Sequence, residues 1–154
     1  MSSADSVGQR LPDSFGDFAI ASVTGASLAT SGNAVIAIPI LSGGLTAGNA
    51  ASTSGQVIIR RITVQNANSD VSTGNIAVTI SSTGSVAAAN AVVANVVLSN
   101  LTTGQRWQDL TIAGGFAANT TINGFTNQCL FVNVNTAVAS GTVDIRVYGD
   151  TVSF

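Results

Sequence analysis

The sequence predicts an all-β domain: a two-sheet antiparallel sandwich, jelly-roll-like, with about eight strands. Three observations lead there. Val, Ile and Thr supply 47 of the 154 residues, and β-branched side chains suit a pleated surface better than a helix. The chain has no Lys and no Glu, the residues with which helices usually cover their wet faces. Short apolar runs alternate with Gly, Asn, Ser and Thr at the spacing of strands and turns. No internal repeat points to a solenoid or propeller.

Residues 1–17 read as an extended arm ahead of a single sandwich domain at 18–154. The arm contains Gly8, Pro12 and Gly16. Its apolar residues, Val7, Leu11 and Phe15, recur every four positions, and they are candidate contacts to a partner. Phe18 and Ile20 begin a first strand that can run on past Gly25. Ile36, Ile38 and Ile40 alternate with Val35, Ala37 and Pro39 in a second strand, which Pro39 confines to an edge or a bulge because it has no N–H for the ladder. Ser42 to Gly55 reads as a surface loop.

The third strand spans Val57 to Gln65. Val57 and Ile59 share one parity, and Ile62 and Val64 share the other. A bulge at Arg60-Arg61 would keep all four inward. After a turn cluster at 66–74, Asn75 to Ser81 alternates cleanly: Ile76, Val78 and Ile80 in, Asn75, Ala77, Thr79 and Ser81 out. Ala87-Ala-Ala can open a helical turn before a Val-rich strand at Ala91–Ser99. Thr102–Gln105 is a turn, and Arg106–Ile112 a short strand ending at Gly114-Gly115. Asn123-Gly124 marks a tight turn. Gln128–Asn135 and Thr142–Tyr148 are the last strands, and Ser140-Gly141 suggests a hairpin between them. In the final strand Val143, Ile145 and Val147 point in, and Asp144, Arg146 and Tyr148 point out.

Composition argues against most chemistry. Five Arg and seven Asp are the only charges, for a net charge of −2, and there is no His. Ser-His-Asp, Cys-His and Lys-based catalysis therefore cannot be built within the chain, and no enzyme activity is expected. No cofactor or metal is expected either. A carboxylate pair at Asp13 and Asp17 could hold calcium or cap the start of the fold, without the spacing of an EF-hand. Nucleic acid is not an expected partner, because the Arg residues are scattered and only Arg60-Arg61 are adjacent. A membrane is not expected either. The longest apolar runs, such as Ala34–Leu41, reach eight residues, against roughly 20 for a spanning helix. The first residues show no secretory leader pattern. Cys129 lies in an apolar strand and reads as a small packing residue rather than a reactive thiol. Trp107, the only Trp, either fills the core or a subunit interface or, exposed beside polar residues, stacks on a sugar ring.

Three stretches, Ile59–Asn66, Trp107–Ile112 and Phe131–Val138 continuing through Asp144–Asp150, resemble small structural proteins of tailed phages, especially jelly-roll capsid decoration or cement proteins. The resemblance runs from Ala34 to Phe154. It implies a protein without catalytic residues that acts as glue between capsomers, often as a trimer. The expected partners are then the major capsid protein or another virion protein and further copies of the chain. The expected location is the capsid surface, with the host cytoplasm before assembly. A head-fibre base or tail-tube component and a carbohydrate-binding sandwich centred on Trp107 are the competing readings. The composition fits the first: a charge-poor surface loses little on being buried against a partner, and near-zero net charge favours association.

Overall fold

A computed structural model describes residues 19–30, 35–39, 55–83, 87, 89–112, 121–122 and 129–153. The strands are β1 (Ala19–Ser27), β2 (Val35–Pro39), β3 (Gly55–Gln65), β4 (Asn75–Thr79), β5 (Ala91–Val97), β6 (Trp107–Leu110), β7 (Thr121–Ile122), β8 (Cys129–Thr136) and β9 (Thr142–Ser153). They form two antiparallel sheets. One has the order β1-β9-β3-β6 with β7 also on β3, and the other the order β2-β8-β4-β5.

β6 and β7 are one interrupted strand. Val57 and Ile58 pair with β9 on one side and with Ile122 and Thr121 on the other, so β7 lies on the edge of β3 that β6 also uses. Counted together they make eight strands whose pairings nest: β1 with β9, β2 with β8, β3 with β6/β7, β4 with β5. That nesting is a hairpin rolled up on itself, the jelly roll.

The bulge expected at the arginine pair is present. Ile59 faces Gly149 and Arg61 faces Tyr148, so Arg60 is the extra residue. Ile59, Ile62 and Val64 accordingly all reach the core. Gly149 is needed there: a Cβ on it would overlap the Ile58 carbonyl oxygen. β1 does run past Gly25, through a second irregularity between Val23 and Ala26. Gly25 takes a φ of +62°, which glycine adopts without steric cost.

The expected hairpin between the last two strands is not one. β8 pairs with β2 and β4, whereas β9 pairs with β1 and β3. The tight turn exists, with the Gly141 N–H donating to the Val138 carbonyl at 3.0 Å, but it arches from one sheet to the other. Leu28 holds it across, exchanging 2.8 Å hydrogen bonds with Val138 and Gly141. Asn68 does the same, its amide donating to the Ser140 carbonyl and accepting from the Thr142 N–H, both at 2.8 Å.

The core lies between the sheets. β9 contributes Val143, Ile145 and Val147, and β8 contributes Leu130, Val132 and Val134. Each such side chain is worth about 1.5–3 kcal/mol of burial. Ile76 and Val78 point in as expected, but Ala77 and Thr79 are fully buried rather than wet. They lie on the far face of β4, where Phe131, the ladder partner of Thr79, is only 6% exposed. The Thr79 hydroxyl donates to the Ser81 carbonyl at 3.1 Å, which satisfies it. The Ala87 carbonyl accepts the Asn90 N–H at 2.8 Å and the Ala91 N–H at 3.0 Å, a turn that leads into β5. β9 continues five residues beyond the expected end at Tyr148.

Candidate functional site

Strand parity places charge on the outer face of the five-stranded sheet. In β9, Asp144, Arg146 and Tyr148 alternate with the buried valines and isoleucine. In β6, Gln108 and Leu110 are buried while Trp107 and Asp109 are exposed. The bulge turns Arg60 and Arg61 to that same outer face. Trp107 is 49% exposed, so it does not fill this chain's core.

These residues meet at Arg61. Its Nε donates to Asp109 Oδ1 at 2.8 Å, and its guanidinium carbon lies 5.5 Å from the Trp107 ring centre and 5.8 Å from that of Tyr148. Beside it, Arg60 binds Asp150 Oδ2 through Nε at 2.7 Å and Nη2 at 2.6 Å. Exposed pairs of this kind are worth roughly 0–1 kcal/mol, so their main effect is to hold the guanidinium in position. Thr63 lies between Arg61 and Gln65 on this face, with Asp109 and Arg146 as its ladder partners. It is 4% exposed, and its hydroxyl has no hydrogen-bond partner. Among the described residues, Arg106, Arg146, the Gln65 amide and the Tyr148 hydroxyl make no side-chain hydrogen bond, and Asp109 uses only one oxygen.

At the end of the same face the Asp144 carboxylate joins two irregular points of the backbone. It accepts the Gly25 N–H at 2.8 Å and the Asn66 amide at 2.7 Å. Asn66 itself has a φ of 54°.

The other sheet is different. No residue of β2, β4, β5 or β8 is charged. Its outer face carries an amide ladder, in which Asn135 donates to Asn95 at 2.6 Å and Asn75 at 3.4 Å. Val97 on the β5 edge is 47% exposed. Cys129, on the same face, is half-buried rather than fully enclosed, and desolvation pushes its thiol pKa up. In the loop between β3 and β4, Ser72 donates to Asp70 through Oγ at 2.6 Å and N–H at 2.9 Å, which lowers the Asp70 pKa.

Of the residues singled out by sequence, the structure places Trp107 in the Arg61 cluster. Val7, Leu11, Phe15, Asp13 and Asp17 fall outside the described residues, as do Ser42–Ser54, Gly114-Gly115 and Asn123-Gly124. No group of three His, Cys, Asp or Glu side chains able to hold a metal occurs among the described residues. Arg61, Asp109 and Tyr148 were not legible as companions of Trp107. The parity break at Arg60-Arg61 was the one signal that both arginines share a face. No protein-family model matches the chain, nor does any curated protein or solved structure.

Proposed function

We propose that the chain is a non-enzymatic structural protein of a virion that decorates or cements a phage capsid. It binds the major capsid protein or another virion protein, and it binds itself as a trimer. The observation that carries this reading is the uncharged four-stranded sheet of the jelly roll. Ala77, Thr79 and Phe131 on its outer face are already buried within the chain, and the rest, around Asn95, Val97 and Asn135, can be covered by a protein without stripping water from an ion, the expensive part of burying a polar surface. The other sheet, with its ion pairs and exposed Arg residues, is left towards solvent. The protein collects on the capsid surface after synthesis in the host cytoplasm.

Mixing the full-length protein with particles of the encoding phage and sedimenting them tests this. Stoichiometric binding is expected, with a solution mass near three times 15.3 kDa. Asn95→Asp combined with Asn135→Arg places charge on the uncharged face and should cut the bound copies about tenfold. Gln65→Arg on the opposite sheet should not. Absence of binding, or equal binding by all variants, would overturn the reading.

A further inference from the structure

We propose that the outer face of the five-stranded sheet around Trp107 is a binding site for a neutral saccharide. This goes beyond the assembly reading and does not rest on it.

The ring, carried by the edge strand β6, is held, not loose. Arg61 lies over Trp107 and is fixed by Asp109 and by the Tyr148 ring. Although Arg61 lies over the indole, Trp107 keeps 49% of its surface exposed. A pyranose presents a patch of C–H groups that packs on such a ring, and hydroxyls around its rim that need hydrogen-bond partners.

Polar groups with spare hydrogen-bonding capacity share the ring's face of the sheet. The second oxygen of Asp109, the Tyr148 hydroxyl and the Gln65 amide have no side-chain hydrogen bond among the described residues. Thr63 keeps its hydroxyl buried beneath the same face without a partner. Charge selects the class of ligand. Arg60 and Arg61 are each neutralised by a carboxylate, so the centre of the site offers fixed dipoles and an aromatic plane rather than a field of one sign. That suits an uncharged, hydroxyl-rich chain better than a phosphate or sulfate polymer.

Because Trp107 is the only Trp, its fluorescence reports on this face alone. The full-length protein is titrated with neutral hexasaccharides: α-1,4-glucan, β-1,4-glucan, β-1,4-mannan and β-1,4-linked N-acetylglucosamine. At least one should give a saturable change, with a Kd of about 0.1–1 mM because an open face contacts few ligand atoms. Asp109→Ala keeps the reporter and should weaken binding at least about fivefold, the loss of a hydrogen bond to a charged group. Calorimetry on Trp107→Ala should show no binding, while an unchanged circular dichroism spectrum shows that the sandwich is intact. Asn135→Arg, on the other sheet, should bind as the parent does. The proposal falls if no hexasaccharide gives a saturable change at 10-fold above that Kd range, if a sulfated chain such as heparin binds more tightly than every neutral one, or if Trp107→Ala binds sugar normally. It also falls if no sugar binds and Trp107→Ala instead loses attachment to particles, which would make the face a protein interface.

Discussion

The Asp144 carboxylate holds Gly25 in place, accepting its N–H at 2.8 Å where the first strand takes a left-handed residue. Its other oxygen takes the Asn66 amide at 2.7 Å. One side chain thus joins the irregularity in β1 to the end of β3, with β9 between them. Asp144→Ala should destabilise the fold by about 1–2 kcal/mol in urea unfolding, as expected for losing two hydrogen bonds to a charged acceptor at an exposed site. An unchanged midpoint would show that the bridge contributes nothing.

Gly149 should tolerate no side chain. A methyl group there overlaps backbone, not a side chain that can swing aside. Gly149→Ala should cost about 3 kcal/mol or more, at or beyond the upper end for overpacking. Gly104→Ala is the control. Its nearest neighbour, Thr102 Oγ1, is 3.9 Å away, and the change should stay within about 0.5 kcal/mol. Equal midpoints for the two variants would rule out the close approach.

Gln108 ties the two sheets together. Its side chain is buried, donates to the Val97 carbonyl and accepts the Asn100 N–H, both at 3.0 Å. Gln108→Leu fills similar space but strands both backbone groups, so thermal and urea unfolding should show a loss of about 1–3 kcal/mol. A leucine variant as stable as the parent would mean that water replaces the amide.

The Asp70 carboxyl should titrate below its ordinary value, because the Ser72 hydroxyl and then its N–H bond the charged form. A pKa lowered by folding stabilises the native state above the unfolded value. That contribution disappears as pH falls through the lower folded value. Ser72→Ala should raise the Asp70 pKa in an NMR titration, and the stability difference from the parent should vanish at the acid end. A pKa unmoved by the substitution would remove the hydrogen bond as its cause.

Thiol labelling of Cys129 should be slow at neutral pH and accelerate only at higher pH than for an ordinary cysteine. Desolvation disfavours the thiolate, the reactive form. Fast labelling at neutral pH would contradict this. Cys129→Ser should fold normally with a modest loss of stability.

Local pattern carried most of the fold. Parity alone located the bulge at Arg60-Arg61, since no regular strand could bury Ile59, Ile62 and Val64 together. The Ser140-Gly141 turn misled, because turn chemistry describes four residues and says nothing about which strands lie beyond them. The contacts that make it an arch come from Leu28 and Asn68, far away in the chain. The Trp107 cluster was hidden for the same reason. Arg61, Asp109 and Tyr148 come together only through the registers of β3 with β6 and with β9. Ala77 reads as wet by parity, yet neighbours across the ladder can enclose a side chain that small.

The nested strand order dictates when this protein can finish folding. Among the described strands β1 pairs only with β9, the furthest from it along the chain, and only β4 and β5 are both consecutive and paired. At about 5–20 residues per second on the ribosome, Ala19 waits roughly 6–25 s for its partner. Through that interval β1 and β3 present unpaired, β-branched edges to every neighbouring nascent chain. Folding of so non-local a topology is itself slow, on the scale of milliseconds to seconds. The yield of native protein should therefore depend more on synthesis rate and on crowding of chains on one message than on the stability of the finished sandwich.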